Sequence, residues 1–154
     1  MSPALGRWRF GLIAAGSLLA IVILTVQTLD YLAGACGCGT TTPELIQAFR
    51  EYGTLFGIPI SLLGAVGITG VLIQTLIVGG FSSRPSIALG INPVWLQRWY
   101  LFLILQYAMM CVAIVNLIWI ELFLIGALCL NCTLAQVLVV LNTGLVWTWH
   151  PEFS

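Results

Sequence analysis

The chain has no lysine, a single histidine, and five arginines balanced by five acidic residues. Zero net charge without lysine leaves no electropositive footprint for nucleic acid, so that partner class is excluded. Only 6 % of the 154 residues are charged, against roughly 25 % in a soluble domain. There is too little charge to clothe an apolar core in water. No methionine cluster is present, which argues against copper transfer, since soft sulfur ligands suit Cu(I). What the chain does have is apolar length: 60 % of its residues are hydrophobic, and that surface is expected to face lipid.

A bilayer core takes about 20 apolar residues in helical form. Phe10–Leu29 provides one run without charge, and Leu55–Phe81 a second between Glu51 and Arg84. From Trp99 to Trp149 the only charge is Glu121, and the stretch is too long for one span. It reads as two helices turning near Glu121–Gly126. The expected fold is all-α: a single domain over 1–154 forming a four-transmembrane-helix bundle. Its helices run about 9–29, 55–80, 99–121 and 126–149, and an outer loop occupies 30–54. The first run exceeds a signal-peptide core, and no small-x-small cleavage site follows, so it is kept as a helix.

Arginine placement sets the orientation. Arg7, Arg9, Arg84 and Arg98 flank one side, and only Arg50 lies in the first loop, beside Glu44 and Glu51. Both termini and the 82–98 loop are therefore expected in the cytoplasm. Loop 30–54 and the turn at 121–126 then lie on the non-cytoplasmic face. Cys36 and Cys38, in "ACGCGTTTPE", share that face with Cys129 and Cys132, in "LCLNC". Disulfides form and persist in that compartment.

Cys129 and Cys132 stand three residues apart, on one face of a helix beginning near Ala127. Unpaired amides and the helix dipole at such a start favour a thiolate, the attacking species in disulfide exchange. The C-x-x-C and C-x-C pairs together could also supply four sulfurs to zinc, but an oxidising face favours redox work over metal. Cys111, alone in the third helix, reads as packing.

In the outer loop, "TTPELIQAFREYG" reads as a short interfacial helix. Either Thr41 and Glu44 form a capping box, or Thr42 caps with Pro43 at the first helical position; Gly53 ends it. Leu45, Phe49 and Tyr52 share its apolar face, which reads both as a membrane-surface anchor and as a lid holding the glycine-cysteine segment near Cys129. The second helix is read as starting in "FGIPISLLGAVGITG", with Pro59 in its first turn. Gly57, Ser61 and Ala65, and then Gly64, Gly67 and Gly70, give it small faces for close packing. Among the intramembrane polar residues, Glu121 reads as part of a solvated turn. Asn116 and Asn142 read as interhelical glue and His150 as interfacial. Gln136 stands one turn after Cys132, equally suited to a ligand carbonyl or a neighbouring helix.

Three stretches resemble the vitamin K epoxide reductase family of membrane thiol oxidoreductases. They are "YGTLFGIPISLLGAVG" (52–67), "LIWIELFLIGALCLNC" (117–132), and the cysteine pair in the first loop. In another quinone-linked four-helix family the C-x-x-C opens helix 2, whereas here it lies in helix 4. The resemblance implies a relay in which partner thiols reduce the loop pair Cys36 and Cys38, the loop pair reduces Cys129–Cys132, and the latter passes two electrons to a quinone. It implies that Cys129 exchanges with the loop and that Cys132 faces the quinone, with Tyr52, Phe56 and Gln136 as further contacts. The quinone is ubiquinone, menaquinone, plastoquinone or phylloquinone. The membrane is the bacterial inner membrane or the thylakoid. A thioredoxin-like or other thiol protein acts in trans, since the chain ends at Ser154 without the thioredoxin domain fused to many bacterial members.

The chain departs from the family pattern at three positions. Glu44 stands where the second loop cysteine is expected, leaving Cys38 as its substitute. Arg50 stands where the family often has a loop Ser or Thr, and Gln136 where it often has a tyrosine. These departures motivate a rival reading, a non-catalytic subunit that packs within a larger membrane complex.

Overall fold

A computed structural model describes residues 3–35, 42–82 and 92–149. Cys36, Cys38, Thr41, Arg84 and His150 lie outside the described residues. The elements in order are α1 (Pro3–Leu32), α2 (Pro43–Tyr52), the strands β1 (Thr54–Leu55) and β2 (Ile58–Pro59), and α3 (Ile60–Ser82). Then come α4 (Pro93–Trp119), a π-helical turn (Ile120–Ile125) and α5 (Leu130–Thr148). Among the described residues, four helices are long and apolar enough to cross a membrane: Trp8–Leu32, Ile60–Gly79, Val94–Ile125 and Leu130–Thr148. Their outer faces carry exposed leucine, valine and tryptophan, surface that only lipid can cover at this density. The chain is an integral membrane helical bundle, as its composition requires.

Local chemistry explains most of the element ends. Gly34 adopts φ +90°, a backbone conformation that glycine reaches without a Cβ clash. Its amide donates to the Tyr31 carbonyl (3.1 Å) and the Ala35 amide donates to the Asp30 carbonyl (2.9 Å), the paired bonds of a Schellman C-cap. Thr42 occupies the N-cap of α2 with Pro43 behind it, but the Thr42 side chain makes no capping bond. Gly53 closes α2 by donating to the Phe49 carbonyl at 2.8 Å.

Several boundaries differ from the sequence expectation: α1 starts at Pro3 rather than about 9 and α5 at Leu130 rather than about 126, which leaves Cys129 as a non-helical N-cap, and two further shifts have a visible local cause. The second spanning helix starts at Ile60 rather than 55, because residues 54–59 form a small antiparallel hairpin pairing Thr54 with Pro59 and Leu55 with Ile58. Its turn residues Phe56 and Gly57 have φ +55° and +80°, the left-handed pair of a tight hairpin turn, and a residue before proline avoids the helical region. The third spanning helix starts at Pro93, where the Asn92 side chain accepts from the Val94 amide at 3.0 Å. Arg98 was a misleading boundary; the Asn-Pro start signal lay before it.

The spanning helices run antiparallel to their neighbours. Against α1, α3 sets Ser61 near Thr28 (2.9 Å), Gly64 against Leu24 and Gly79 against Phe10. Along α5, Asn142 donates to the Ile13 carbonyl (3.3 Å) and Ser17 Oγ (3.2 Å) of α1. Asn142 is thus interhelical glue, whereas Asn116 only donates to the Val112 carbonyl on its own helix. Cys111 Sγ lies 3.4 Å from Thr143 Oγ1 and helps join α4 to α5. Gly64 and Gly67 do serve close packing, while Gly70 meets open space and Gly57 belongs to the hairpin turn.

One end of the bundle is closed by aromatic rings. Trp149 lies 6.1 Å from both Phe10 and Tyr100, edge-on to the latter. The Tyr100 hydroxyl reaches the Val146 carbonyl (2.9 Å) and the Trp149 carbonyl. The Arg9 guanidinium donates to the Thr148 carbonyl, answering one of the acceptors that a helix C-terminus leaves open. The other end holds α2, the hairpin, the π turn and the C-x-x-C.

Candidate functional site

Cys129 is the N-cap of α5 and Cys132 lies in its first turn. The Cys129 sulfur accepts from the Cys132 amide at 3.4 Å, so one thiol of the motif serves as the helix cap for the other. Capping requires a non-helical backbone at the first cysteine; Cys129 has φ −84° and ψ 116°. Both cysteines pack against the underside of α2, but only one of them reaches the cavity. Cys129 is 0 % exposed and packs with Phe49 of α2, along with Leu45, Ile46, Ile125 and Ala127. Cys132 lines a cavity. The amphipathic helix α2 therefore lies over the C-x-x-C with its apolar side inward.

The side-chain amide of Gln27, on α1, reaches both sulfurs: Nε2 stands 2.8 Å from Cys132 Sγ and 3.6 Å from Cys129 Sγ. Gln27 is 8 % exposed and its Oε1 is buried without a hydrogen-bond partner. A buried, unanswered acceptor costs about 1–3 kcal/mol; Gln74 and Gln106 carry one too, but of the three only Gln27 lines the cavity, where a bound ligand would complete it. Sequence reasoning passed over Gln27. The available signal was a polar residue inside an apolar run, the same signal that drew attention to Gln136.

Glu121 corrects another expectation. It is not part of a solvated turn but is 5 % exposed. It is the buried residue of the π turn, whose Leu122, Phe123 and Leu124 stay exposed before Gly126, at φ +72°, reverses the chain. Such turns gather at functional sites. One Glu121 carboxylate oxygen accepts from the Cys129 amide (3.4 Å) and the other from Gln136 Nε2 (3.3 Å). Gln136 thus bonds a neighbouring helix while also lining the cavity.

The cavity measures about 590 Å³ and is bounded by α1, α2, α3, α4, the π turn and α5. Its wall is mostly apolar, interrupted by Gln27, Ser61, Asn116, Glu121 and Gln136, with Tyr31 and Tyr52 near α2. That volume and lining are those of a small-molecule pocket. An apolar ring with polar oxygens at its edge fits this wall, so the residues present suit a quinone. Of the expected contacts, Cys132, Gln136 and Tyr52 converge on this cavity. Phe56 does not: the hairpin turn holds its side chain 95 % exposed, away from the wall. Arg50 lies over the Tyr31 ring at 5.4 Å, a cation–π contact that ties α2 to α1. Cys36 and Cys38 lie outside the described residues.

A search of curated proteins and a search of solved structures gave no match. The family model described as "Vitamin K epoxide reductase family" matches residues 8–147. With nearly the whole chain matched and a C-x-x-C beside a membrane cavity, the protein belongs to the vitamin K epoxide reductase family, membrane oxidoreductases of thiols and disulfides linked to quinones.

Proposed function

We propose that this protein oxidises thiols of a protein partner outside the cytoplasm and passes the electrons to a quinone through Cys36, Cys38, Cys129 and Cys132. The observation that carries the reading is the place of the C-x-x-C: both cysteines pack under the loop helix, Cys129 fully buried there, and Cys132 is the one of the two that also lines the cavity. Cys129 exchanges with the loop pair, and Cys132 works at the acceptor site. The Schellman cap at Gly34 and Ala35 ends α1 at the same end of the bundle as Gln27, and Cys36 is the next residue in the sequence. With Glu44 at the usual place of the second loop cysteine, Cys38 is the remaining candidate for the pair; the small ring it would close is strained, which makes the disulfide a strong oxidant or prevents it from forming.

A quinone held in the cavity supplies a two-electron sink. Around it the chain's own residues bind and orient. The α3 wall at Gly64, Gly67 and Ile68 offers an apolar slot. Gln136 and Tyr52 offer donors, and Gln27 Oε1 offers an acceptor that a ligand hydroxyl satisfies. Gln27 Nε2 donates to the cysteine sulfurs and stabilises a thiolate there. Phe49 and its neighbours exclude water from Cys129. The positive-inside distribution of arginine supports a non-cytoplasmic site, in the bacterial inner membrane or the thylakoid.

The test is thiol-dependent quinone reduction by the purified protein. Cys132→Ala is expected to abolish it with any thiol donor. Cys36→Ala is expected to block oxidation of a protein partner while a small dithiol still reduces Cys129–Cys132. Unchanged turnover in Cys132→Ala removes the function assigned to that residue. Stoichiometric co-purification with a larger membrane complex, without thiol-dependent quinone reduction, favours the non-catalytic rival.

A further inference from the structure

We infer that Glu121 is the proton carrier of this site, taking the proton that the Cys132 thiol loses and releasing it into the cavity. The inference rests on the functional reading above. Closing a Cys129–Cys132 disulfide breaks two S–H bonds, forms one S–S bond, and releases two electrons and two protons. The electrons leave to the quinone acceptor, and its reduction to a quinol consumes both protons as well. Proton balance therefore closes inside the site, provided a group exists to move protons from sulfur to acceptor.

The cavity wall is largely hydrocarbon, and among its described residues Glu121 is the sole carboxyl. It also lies against the C-x-x-C, through the Cys129 amide at 3.4 Å. Both of its oxygens already accept hydrogen bonds, from Cys129 N–H and Gln136 Nε2, the pattern that suits an ionised, acceptor-only carboxylate. Once protonated, Glu121 needs an acceptor instead. The Gln136 amide meets both demands by rotating its oxygen for its nitrogen. Gln136 is then a positioning residue, and Glu121 alternates between a state that takes a proton and a state that gives one.

The other titratable groups near the cavity are few. Cys129 and Cys132 come from α5 and its cap, Tyr31 from α1 and Tyr52 from α2, with Arg50 over the Tyr31 ring. The α3 and α4 walls contribute neither a carboxylate nor a cation among the described residues. A purely structural Glu121, holding the start of α5 through its oxygens, would tolerate glutamine, whose carbonyl still accepts.

The experiment uses the full chain, reduced and free of quinone, in lipid nanodiscs. Iodoacetamide labelling of Cys132 is measured by peptide mass between about pH 3 and 10, the interval that brackets ordinary carboxyl and thiol titration. The expected wild-type profile rises in two steps, one following Glu121 and one the thiol itself, whereas Glu121→Gln rises in one. Turnover in Glu121→Gln is expected to fall about 100-fold in kcat with little change in KM, the low end of general acid–base contributions. A single step in the wild type overturns the inference, and this measurement holds even if the variant does not accumulate. So does a Glu121→Gln profile and turnover matching wild type. Cys132→Ala separates the two levels. If it retains quinone reduction, the functional reading fails. If it loses reduction while Glu121→Gln keeps it, only the role of Glu121 is overturned.

Discussion

The two ends of the bundle are built from the same helices and solve opposite problems. At the closed end, Phe10, Tyr100 and Trp149 fill the space between helices, and Arg9 and Tyr100 answer carbonyls at the end of α5. At the other end the helices diverge around a cavity of about 590 Å³, Gln27 Oε1 is left unanswered, and a carboxylate is buried. Packing density and hydrogen-bond satisfaction are what a core needs. Unanswered glutamine oxygens also occur at Gln74 and Gln106, away from the cavity; what sets this end apart is the open volume together with a buried carboxylate and the Cys132 thiol at its wall, which marks a place kept for a ligand.

Three substitutions sharpen that contrast. The largest effect on turnover is expected from Gln27→Leu, which removes the donor shared by both sulfurs. Hydrogen bonds to charged groups contribute about 1.5–3 kcal/mol, so quinone reduction should fall roughly 10- to 100-fold, measured with a small dithiol to bypass the loop. Equal rates would show that the amide only fills space. A smaller effect is expected from Phe49→Ala. Removing part of the roughly 1.5–3 kcal/mol contributed by a buried large apolar side chain loosens α2, and iodoacetamide labelling of Cys129 should rise about tenfold. Labelling as slow as in wild type would mean that α2 is not its cover. The smallest effect on turnover, none, is expected from Gly79→Ala at the closed end. A Cβ there would stand 2.2 Å from a Phe10 ring carbon, and overpacking of this kind costs about 1–3 kcal/mol. Thermal stability should drop while thiol chemistry stays intact; loss of activity at unchanged stability would erase the distinction between the two ends.

Much of this was legible in the sequence, and the rest was hidden for identifiable reasons. Scarce charge and long apolar runs announce a four-span membrane bundle, because no other fold shelters that much apolar surface. The i, i+3 cysteines at a helix start were readable from spacing, and α2 from its Pro43 and Gly53 punctuation. The hairpin at 54–59 was hidden because "LFGIPI" is as apolar as the span behind it, and hydropathy does not register a turn. Glu121 was misread because a charge at the end of a span usually signals the interface; its burial comes with bonds to the Cys129 amide and Gln136, contacts that no local pattern encodes. Gln27 was missed because it stands in an ordinary apolar run and gains meaning only from Cys129 and Cys132, more than a hundred residues away.

The wide turn at Ile120–Ile125 has an evolutionary side. In an α-helix each residue rotates the next by about 100°, so loss of one residue from this segment would restore regular pitch and swing position 121 out toward lipid. A carboxylate there would be expelled from the bilayer or replaced. The buried acid is therefore encoded in chain length as much as in residue identity, and a lineage could discard it with one in-frame deletion while every cysteine stayed in place.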